Sequence, residues 1–227
     1  MKKITYAIEL FLIILFFIVP PIFMQNPINS TIKMIYPMQT FVTIIFGIVL
    51  YLQIKDKFIP YKEISFFKIA IDAGKSLLCL GTLLLSAAVL ESLSFLILKK
   101  THPTEFTLIA PKNFLQILNF LIGTFGAAFY EEVLYRLYLP EEIKFLAKIN
   151  SPFKKRIFDI STEILCVIIF ALGHLYLGIL GVANAIIGGT ALRICVKKTC
   201  GIWAGFFAHA AFNFLNFLWM YLLYNCR

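Results

Sequence analysis

The sequence predicts an all-α, polytopic transmembrane helix bundle of about seven spans with an intramembrane polar cavity. Three observations lead to this fold class. The chain of 227 residues is 60% hydrophobic with a mean hydropathy of +0.87, whereas soluble domains are about 45–50% apolar. The apolar residues form seven runs separated by prolines and charges. Ionisable residues recur inside three of the later runs, where lipid makes them costly.

The apolar runs set the predicted helix bounds, since one span needs about 20 residues. Pro20 and Pro21 end the first span, and Pro140 and Pro152 break the chain after the fourth. The region 140–156 mixes apolar and charged residues and is predicted to lie along the cytoplasmic interface as an amphipathic helix with a break. The predicted spans are 4–22, 38–54, 76–98, 113–139, 157–178, 180–196 and 200–224.

The 21 lysines and arginines predict the orientation. With the N-terminus in the cytoplasm, fifteen lie on the inside, five on the outside and Arg136 within a span. This bias is typical of a multi-pass protein of the plasma membrane. It also accounts for the net charge of +9, and without a recognition motif we expect no nucleic-acid partner. The inside set is Lys2, Lys3, Lys55, Lys57, Lys62, Lys68, Lys75, Lys144, Lys148, Lys154, Lys155, Arg156, Arg193, Lys197 and Lys198; the outside set is Lys33, Lys99, Lys100, Lys112 and Arg227.

The five cysteines form no C-x-x-C pair and are predicted to be small apolar fillers rather than disulfide or zinc ligands. They are Cys79, Cys166, Cys195, Cys200 and Cys226.

The first polar cluster lies on the fourth span. Glu132 and Arg136 are four residues apart and share a helix face, so a bidentate ion pair can lower the cost of burying both. Glu131 is rotated about 100° away and is left free for chemistry. The alternative is that all three lie at the cytoplasmic water interface near Pro140.

Two further clusters follow on later spans. His174 comes four residues after Phe170 in the fifth span, and a lone histidine there can equally be structural. His209 and Asn213 share one face of the seventh span. The alternative for this pair is a polar contact that joins two helices. Three clusters on successive spans favour one shared cavity.

These motifs together resemble a known family. Glu-Glu-x-x-x-Arg, Phe-x-x-x-His and His-x-x-x-Asn in this order are similar to the CAAX protease and bacteriocin-processing family of intramembrane proteases, which includes CAAX prenyl endopeptidases of the Ras-converting type. The resemblance covers about residues 113–217. It divides the chain into N-terminal transmembrane helices at 1–112, a protease-like core at 113–217 and the end of the last helix with the tail at 218–227.

The resemblance implies a role for each motif residue. Glu131 and His174 would activate a water, and His209 and Asn213 would stabilise the oxyanion. Glu132 and Arg136 would support the site. The residue types suit this chemistry, because hydrolysis needs a base for water and a donor to the developing oxyanion. No Ser or Cys stands with these groups as a nucleophile, which favours direct attack by water.

Metal dependence stays open on the sequence. Glu131, His174 and His209 could form a three-ligand zinc site with one open position. The chain has no H-E-x-x-H motif, and Asn213 is a poor zinc ligand. We therefore expect no cofactor, with zinc as the alternative.

One expectation conflicts with the drawn spans. Glu131 falls near the cytoplasmic end of its helix and His174 near the outer end of the next, about 15 Å apart in depth. Either the fifth span starts later, near Ile164, with the basic residues before it on the interfacial segment, or the region of Gly173, Gly178 and Gly181 is kinked or re-entrant.

The leading hypothesis is an intramembrane endopeptidase that acts on a peptide or protein reaching it from the lipid or the cytoplasmic side. Its products would be CAAX-type C-terminal fragments or matured peptides. The alternative is a non-catalytic membrane binding or immunity protein that retains the cavity. A transporter ranks lower, since the sequence shows no inverted repeats.

Overall fold

The computed structural model describes residues 2–23, 31–58, 66–98, 107–199 and 201–225. These residues form a helical bundle, as predicted. The helices are α1 (Lys2–Ile13), α2 (Val19–Phe23), α3 (Met38–Phe58), α4 (Phe66–Leu98), α5 (Phe114–Glu131), α6 (Leu139–Ala147), α7 (Pro152–Leu172), α8 (Gly178–Lys198) and α9 (Trp203–Asn225). Two strands that the sequence did not predict, β1 (Thr31–Lys33) and β2 (Thr107–Ile109), pair in parallel.

Five helical stretches among the described residues are long and apolar enough to cross a membrane, so this is an integral membrane protein. They are Lys3–Phe23, Met38–Lys55, Phe67–Leu96, Phe114–Ala147 and Leu175–Lys198. The predicted fifth and seventh spans correspond to α7 and α9, which have 21 and 23 residues. Neither is among the five most apolar stretches.

Several helix bounds differ from the predicted ones. α4 begins ten residues before the predicted span, because its first turns are polar and continue beyond the apolar run; Asp72 and Lys75 form an ion pair there at 3.5 Å. The interfacial segment is not separate from the bundle: α7 starts at Pro152, so Lys154, Lys155 and Arg156 lie in its first two turns. The prediction had placed these residues on the interface.

Prolines widen two helices instead of ending them. A π-helical turn at Ile14–Ile18 precedes Pro20, and another at Glu132–Tyr138 precedes Pro140. A proline has no N–H for the carbonyl four residues earlier and its ring presses against that carbonyl. One extra residue per turn relieves this contact, as in the π-bulges often found at functional sites. The predicted break at Pro140 is therefore wrong, and the helix continues to Ala147.

α5 and α9 pack against each other, and α8 packs against α4, α7 and α9. α5 begins where the prediction placed it, because Asn113 caps it: the Asn113 side chain accepts a hydrogen bond from the backbone N–H of Gln116 at 3.0 Å. Cys79, Cys166 and Cys195 are free and buried, as expected of apolar fillers. Cys200 and Cys226 lie outside the described residues.

Charges tie α6, α7 and α8 together behind the π-helical turn. Arg193 is 8% exposed and donates to the Glu163 carboxylate, to Glu141 Oε1 at 2.9 Å and to the backbone carbonyl of Arg136. This carbonyl lies four residues before Pro140, which cannot donate to it. Arg193 thus supplies a hydrogen bond that the proline cannot.

Removing this guanidinium should destabilise the bundle. We expect Arg193→Ala to cost about 1–3 kcal/mol of unfolding free energy, since it leaves the buried Arg136 carbonyl without this donor, while Lys144 still pairs with Glu163 and Glu141. Lys197→Ala is the matched control: Lys197 pairs with Glu163 at 2.8 Å, but its side chain is 51% exposed, so about 0–1 kcal/mol is expected. Thermal unfolding in detergent measures both. Equal midpoints for the two variants would contradict this role of Arg193.

Candidate active site

The Glu132–Arg136 ion pair is a buried part of the site and lies in the π-helical turn. Glu132 is 0% exposed and Arg136 is 2% exposed. Arg136 Nε lies 3.5 Å from Glu132 Oε1, and the guanidinium carbon lies 3.7 Å from the centre of the Phe170 ring. The positive charge of Arg136 therefore interacts both with the Glu132 carboxylate and with the face of the Phe170 ring. The structure thus brings together the pair that the spacing of four predicted.

His209 on α9 contacts both glutamates. Its Nδ1 donates to Glu132 Oε1 at 2.9 Å, and its Nε2 lies 3.6 Å from Glu131 Oε2. Gly205, one turn earlier on α9, makes this approach possible, because a Cβ built there would lie 3.1 Å from Glu132 Oε2. The sequence analysis had assigned Glu132 only to Arg136. The structure adds that Glu132 also orients the histidine.

His174 lies in the connection between α7 and α8. α7 ends at Leu172, a 3₁₀ turn follows at Leu175–Leu177, and Gly178 has a φ of +77°. His174 Nδ1 donates to the carbonyl of Phe170 at 3.0 Å. A carbonyl can only accept, so the proton of a neutral imidazole is on Nδ1 and Nε2 keeps a lone pair. Of the two answers to the depth conflict, the structure shows the break near the glycines.

One cavity of about 490 Å³ brings the sequence-predicted residues together. Glu131, His174, His209 and Asn213 all line it. Within the described residues, Glu131 forms no direct hydrogen bond to His174, and its ion-pair contact is with His209. Glu131 is also the more accessible of the two glutamates, with 26% of its side chain exposed against 0% for Glu132. The cavity therefore presents one accessible carboxylate beside two imidazoles and an amide.

Sequence reasoning missed other residues of this cavity. Asn184 on α8 and Asn216 on α9 line it, and Ser86 on α4 donates to Asn184 Oδ1 at 3.0 Å. Both asparagines interrupt apolar helices, the same signal that identified Asn213. Tyr36 also lines the cavity, but no pattern in the sequence connects it with the later motifs.

Within the described part of the chain, no group of three or more His, Cys, Asp or Glu side chains is arranged to hold a metal ion. One nitrogen of each histidine is already engaged, by the Phe170 carbonyl for His174 and by Glu132 for His209. Such second partners are also common for metal-bound histidines.

Comparison with known proteins agrees with this geometry. Residues 113–215 match the family model described as Type II CAAX prenyl endopeptidase Rce1-like. Neither a curated protein nor a solved structure gives a significant match. The matched segment begins at the cap of α5 and ends within α9, so it contains all three motifs. This family suggests CAAX-type intramembrane protease activity. Residues 113–215 of this membrane protein are therefore similar in sequence to the family described as Type II CAAX prenyl endopeptidase Rce1-like.

Proposed function

We propose that this protein is an intramembrane endopeptidase that hydrolyses a peptide bond with a water activated by Glu131 and His174. One observation carries the proposal: a single cavity in the helix bundle is lined by Glu131, His174, His209 and Asn213. An accessible carboxylate, two imidazoles and an amide meet there, which are the acid–base and donor groups that hydrolysis requires.

Water activation falls to the two groups that can accept a proton. Glu131 offers a carboxylate at the cavity wall, and His174 offers the lone pair of Nε2 because its Nδ1 donates to Phe170. The water oxygen attacks the carbonyl carbon of the substrate while its proton passes to Glu131. When the C–N bond breaks, this proton passes to the leaving amine. Water is thereby consumed and no covalent enzyme intermediate forms.

Oxyanion stabilisation falls to His209 and Asn213. Glu132 accepts from His209 Nδ1, so a proton on Nε2 makes this imidazole a cation held beside two carboxylates. Asn213, one helical turn further along α9, adds an N–H donor that does not change protonation. Donors fixed in this way need little reorganisation as negative charge develops on the carbonyl oxygen.

Glu132 and Arg136 support the site through both histidines. The carboxylate of Glu132 holds His209, and Arg136 stacks on Phe170, whose carbonyl holds His174. The substrate would be a peptide or protein that enters from the lipid or the cytoplasmic side. Release of a CAAX-type C-terminal fragment and maturation of a peptide precursor both fit such a cavity.

For localisation we propose the plasma membrane, with the N-terminus in the cytoplasm. The charge bias supports this orientation, and the contacts between the ends of the helices support the grouping of segments on two sides. Lys3 donates to the carbonyl of Leu146 at 3.2 Å, and Lys75 donates to that of Lys198 at 2.5 Å. Each contact joins segments assigned to the inside by the charge bias. At the other end, β1 pairs with β2, both from segments assigned to the outside.

Mass spectrometry of labelled peptides provides the direct test. Purified protein in proteoliposomes is incubated with peptides labelled at the C-terminus, both with a CAAX-type end and with internal apolar segments. The endopeptidase proposal expects defined fragments whose new ends incorporate oxygen from ¹⁸O-labelled water. Stable peptide binding without any fragment would instead favour the non-catalytic binding or immunity protein.

Loss of the Glu131 carboxylate should abolish cleavage without unfolding the protein. We expect Glu131→Gln to lower kcat by about 10²–10⁴, the usual contribution of a general base. Glu91→Gln is the matched control, since Glu91 is an exposed glutamate on α4 that does not line the cavity. Initial rates on the cleaved peptide measure the effect. Cleavage by Glu131→Gln within a factor of two of the parent would exclude Glu131 as the base.

Substitutions of the two adjacent glutamates should differ in their effect on the stability of the protein. Glu132→Gln leaves Arg136 buried without its counter-ion, and we expect a loss of about 3–5 kcal/mol of unfolding free energy. Glu131→Gln should cost less than about 1 kcal/mol, because its side chain is partly exposed and lies 3.6 Å from His209. Thermal unfolding in detergent compares the two. A more severe loss for Glu131→Gln would reverse the assigned roles.

Treatment with a chelator distinguishes the metal-independent mechanism from a zinc-dependent one. The proposed route predicts that cleavage persists after incubation with 1,10-phenanthroline and EDTA, because Glu131 and His174 act on water directly. The readout is the initial rate, together with the zinc content of the purified protein by mass spectrometry. Loss of activity that added zinc restores would show instead that Glu131, His174 and His209 serve as metal ligands.

A further inference from the structure

The cavity has a second end, remote from the glutamates, and Tyr36 lies there. Tyr36 immediately precedes α3 and is outside residues 113–215. Asn119 on α5 holds its backbone on both sides: the Tyr36 N–H donates to Asn119 Oδ1 at 2.8 Å, and Asn119 Nδ2 donates to the Tyr36 carbonyl at 3.1 Å. Two residues earlier, Met34 N–H donates to the carbonyl of Ile109, which extends the pairing of β1 and β2. The backbone of Tyr36 is thus fixed to the protease-like core.

The ring of Tyr36 is fixed as well. A Cβ built on Gly123 would lie 2.2 Å from Tyr36 Cδ2, so the ring lies directly against the bare backbone of α5. The hydroxyl is 3.3 Å from Thr124 Oγ1, and the ring meets Phe217 of α9 edge-on with centroids 6.4 Å apart. Because the Tyr36 ring is held on three sides, it forms a rigid part of the cavity wall.

Tyr36 is also within reach of the proposed chemistry. Gly123 is eight residues before Glu131 on α5, which corresponds to about 12 Å along the helix. Ala127 lies halfway between them and lines the same cavity. Burial and the negative charge of Glu131 both raise the pKa of the Tyr36 phenol. The wall is therefore uncharged at neutral pH.

The lining changes in character between the two ends. Glu131 and the two histidines are at one end, whereas Phe217 and Met220 accompany Tyr36 at the other. Along α9, His209 and Met220 are eleven residues apart, or about 16 Å. A peptide held with its scissile bond at the glutamate end would direct a neighbouring apolar side chain to the aromatic end, where burial is favourable.

We propose that Tyr36 is a specificity-determining residue that limits the size of the apolar side chain accepted at the aromatic end of the cavity. This proposal rests on the proposed protease function. It assigns a role at the substrate site to the N-terminal part of the chain, through a residue that makes no contact with the reacting atoms.

Selectivity among matched peptides provides the test. The peptides differ only in one residue near the cleaved bond, which is Ala, Leu or Trp, and kcat/KM and Kd are measured for each. Tyr36→Ala should raise the Trp-to-Ala ratio of kcat/KM and lower the Trp-to-Ala ratio of Kd, each by about tenfold or more, the usual effect of pocket size on apolar side chains. Tyr36→Phe keeps the ring and should retain the parent ratio within about threefold.

A second variant changes the wall without changing Tyr36. Gly123→Ala places a methyl group where the ring lies, so the ring must move and the selectivity ratio must depart from that of the parent. Gly81→Ala is the control, because a Cβ there meets nothing within 4 Å. The ratio should then be unchanged.

Two outcomes distinguish the inference from the function on which it rests. If the parent protein cleaves peptides and Tyr36→Ala keeps the parent Trp-to-Ala ratio, the role of Tyr36 is excluded while the protease function stands. If no peptide is cleaved, the protease function fails, and the Kd ratio decides whether Tyr36 limits the size of a bound side chain. An unchanged Kd ratio then excludes the inference too.

Discussion

Burial of the Glu132–Arg136 pair is the constraint on which the rest of the site depends. An isolated charge in this position would cost many kcal/mol, so both members of the pair need further partners. The guanidinium takes the face of Phe170, and the carboxylate takes Nδ1 of His209. One ion pair therefore positions residues from α7 and α9, and both histidines are oriented by groups that primarily accommodate a buried charge.

The π-helical turn at Glu132–Tyr138 connects this pair with the rest of the bundle. Pro140 leaves the Arg136 carbonyl without the donor that an α-helix would provide, and Arg193 of α8 donates there while it also binds Glu163 of α7. A side chain of α8 thus supplies a hydrogen bond that the proline removes from another helix. This hydrogen bond explains why a charged residue is buried in α8. It also makes the geometry of the turn depend on the packing of α6, α7 and α8.

Much of the fold and part of the site could be predicted from the sequence. The apolar runs and the spacing of Glu132 and Arg136 are local properties, and the structure agrees with both. What the sequence could not supply depends on how helices approach one another. The contact of His209 with both glutamates requires α9 to come close at Gly205, and the place of Tyr36 requires Gly123. No periodic pattern in the sequence indicates that a glycine at either position allows such a close approach. The continuation through Pro140 was missed because the usual rule treats a proline as a helix end.

The two adjacent glutamates now have distinct physical explanations. In the sequence, the spacing of four pairs Glu132 with Arg136, and Glu131, rotated by about 100°, is left as the expected base. In the structure His209 separates them: Nδ1 binds the fully buried Glu132 and Nε2 faces the partly exposed Glu131. The buried carboxylate already has Arg136 and His209 as partners, so taking up a proton would weaken both contacts. Among the described residues, the partly exposed carboxylate has only the longer contact at 3.6 Å. This difference between the two carboxylates supports the proposal that Glu131 is the base.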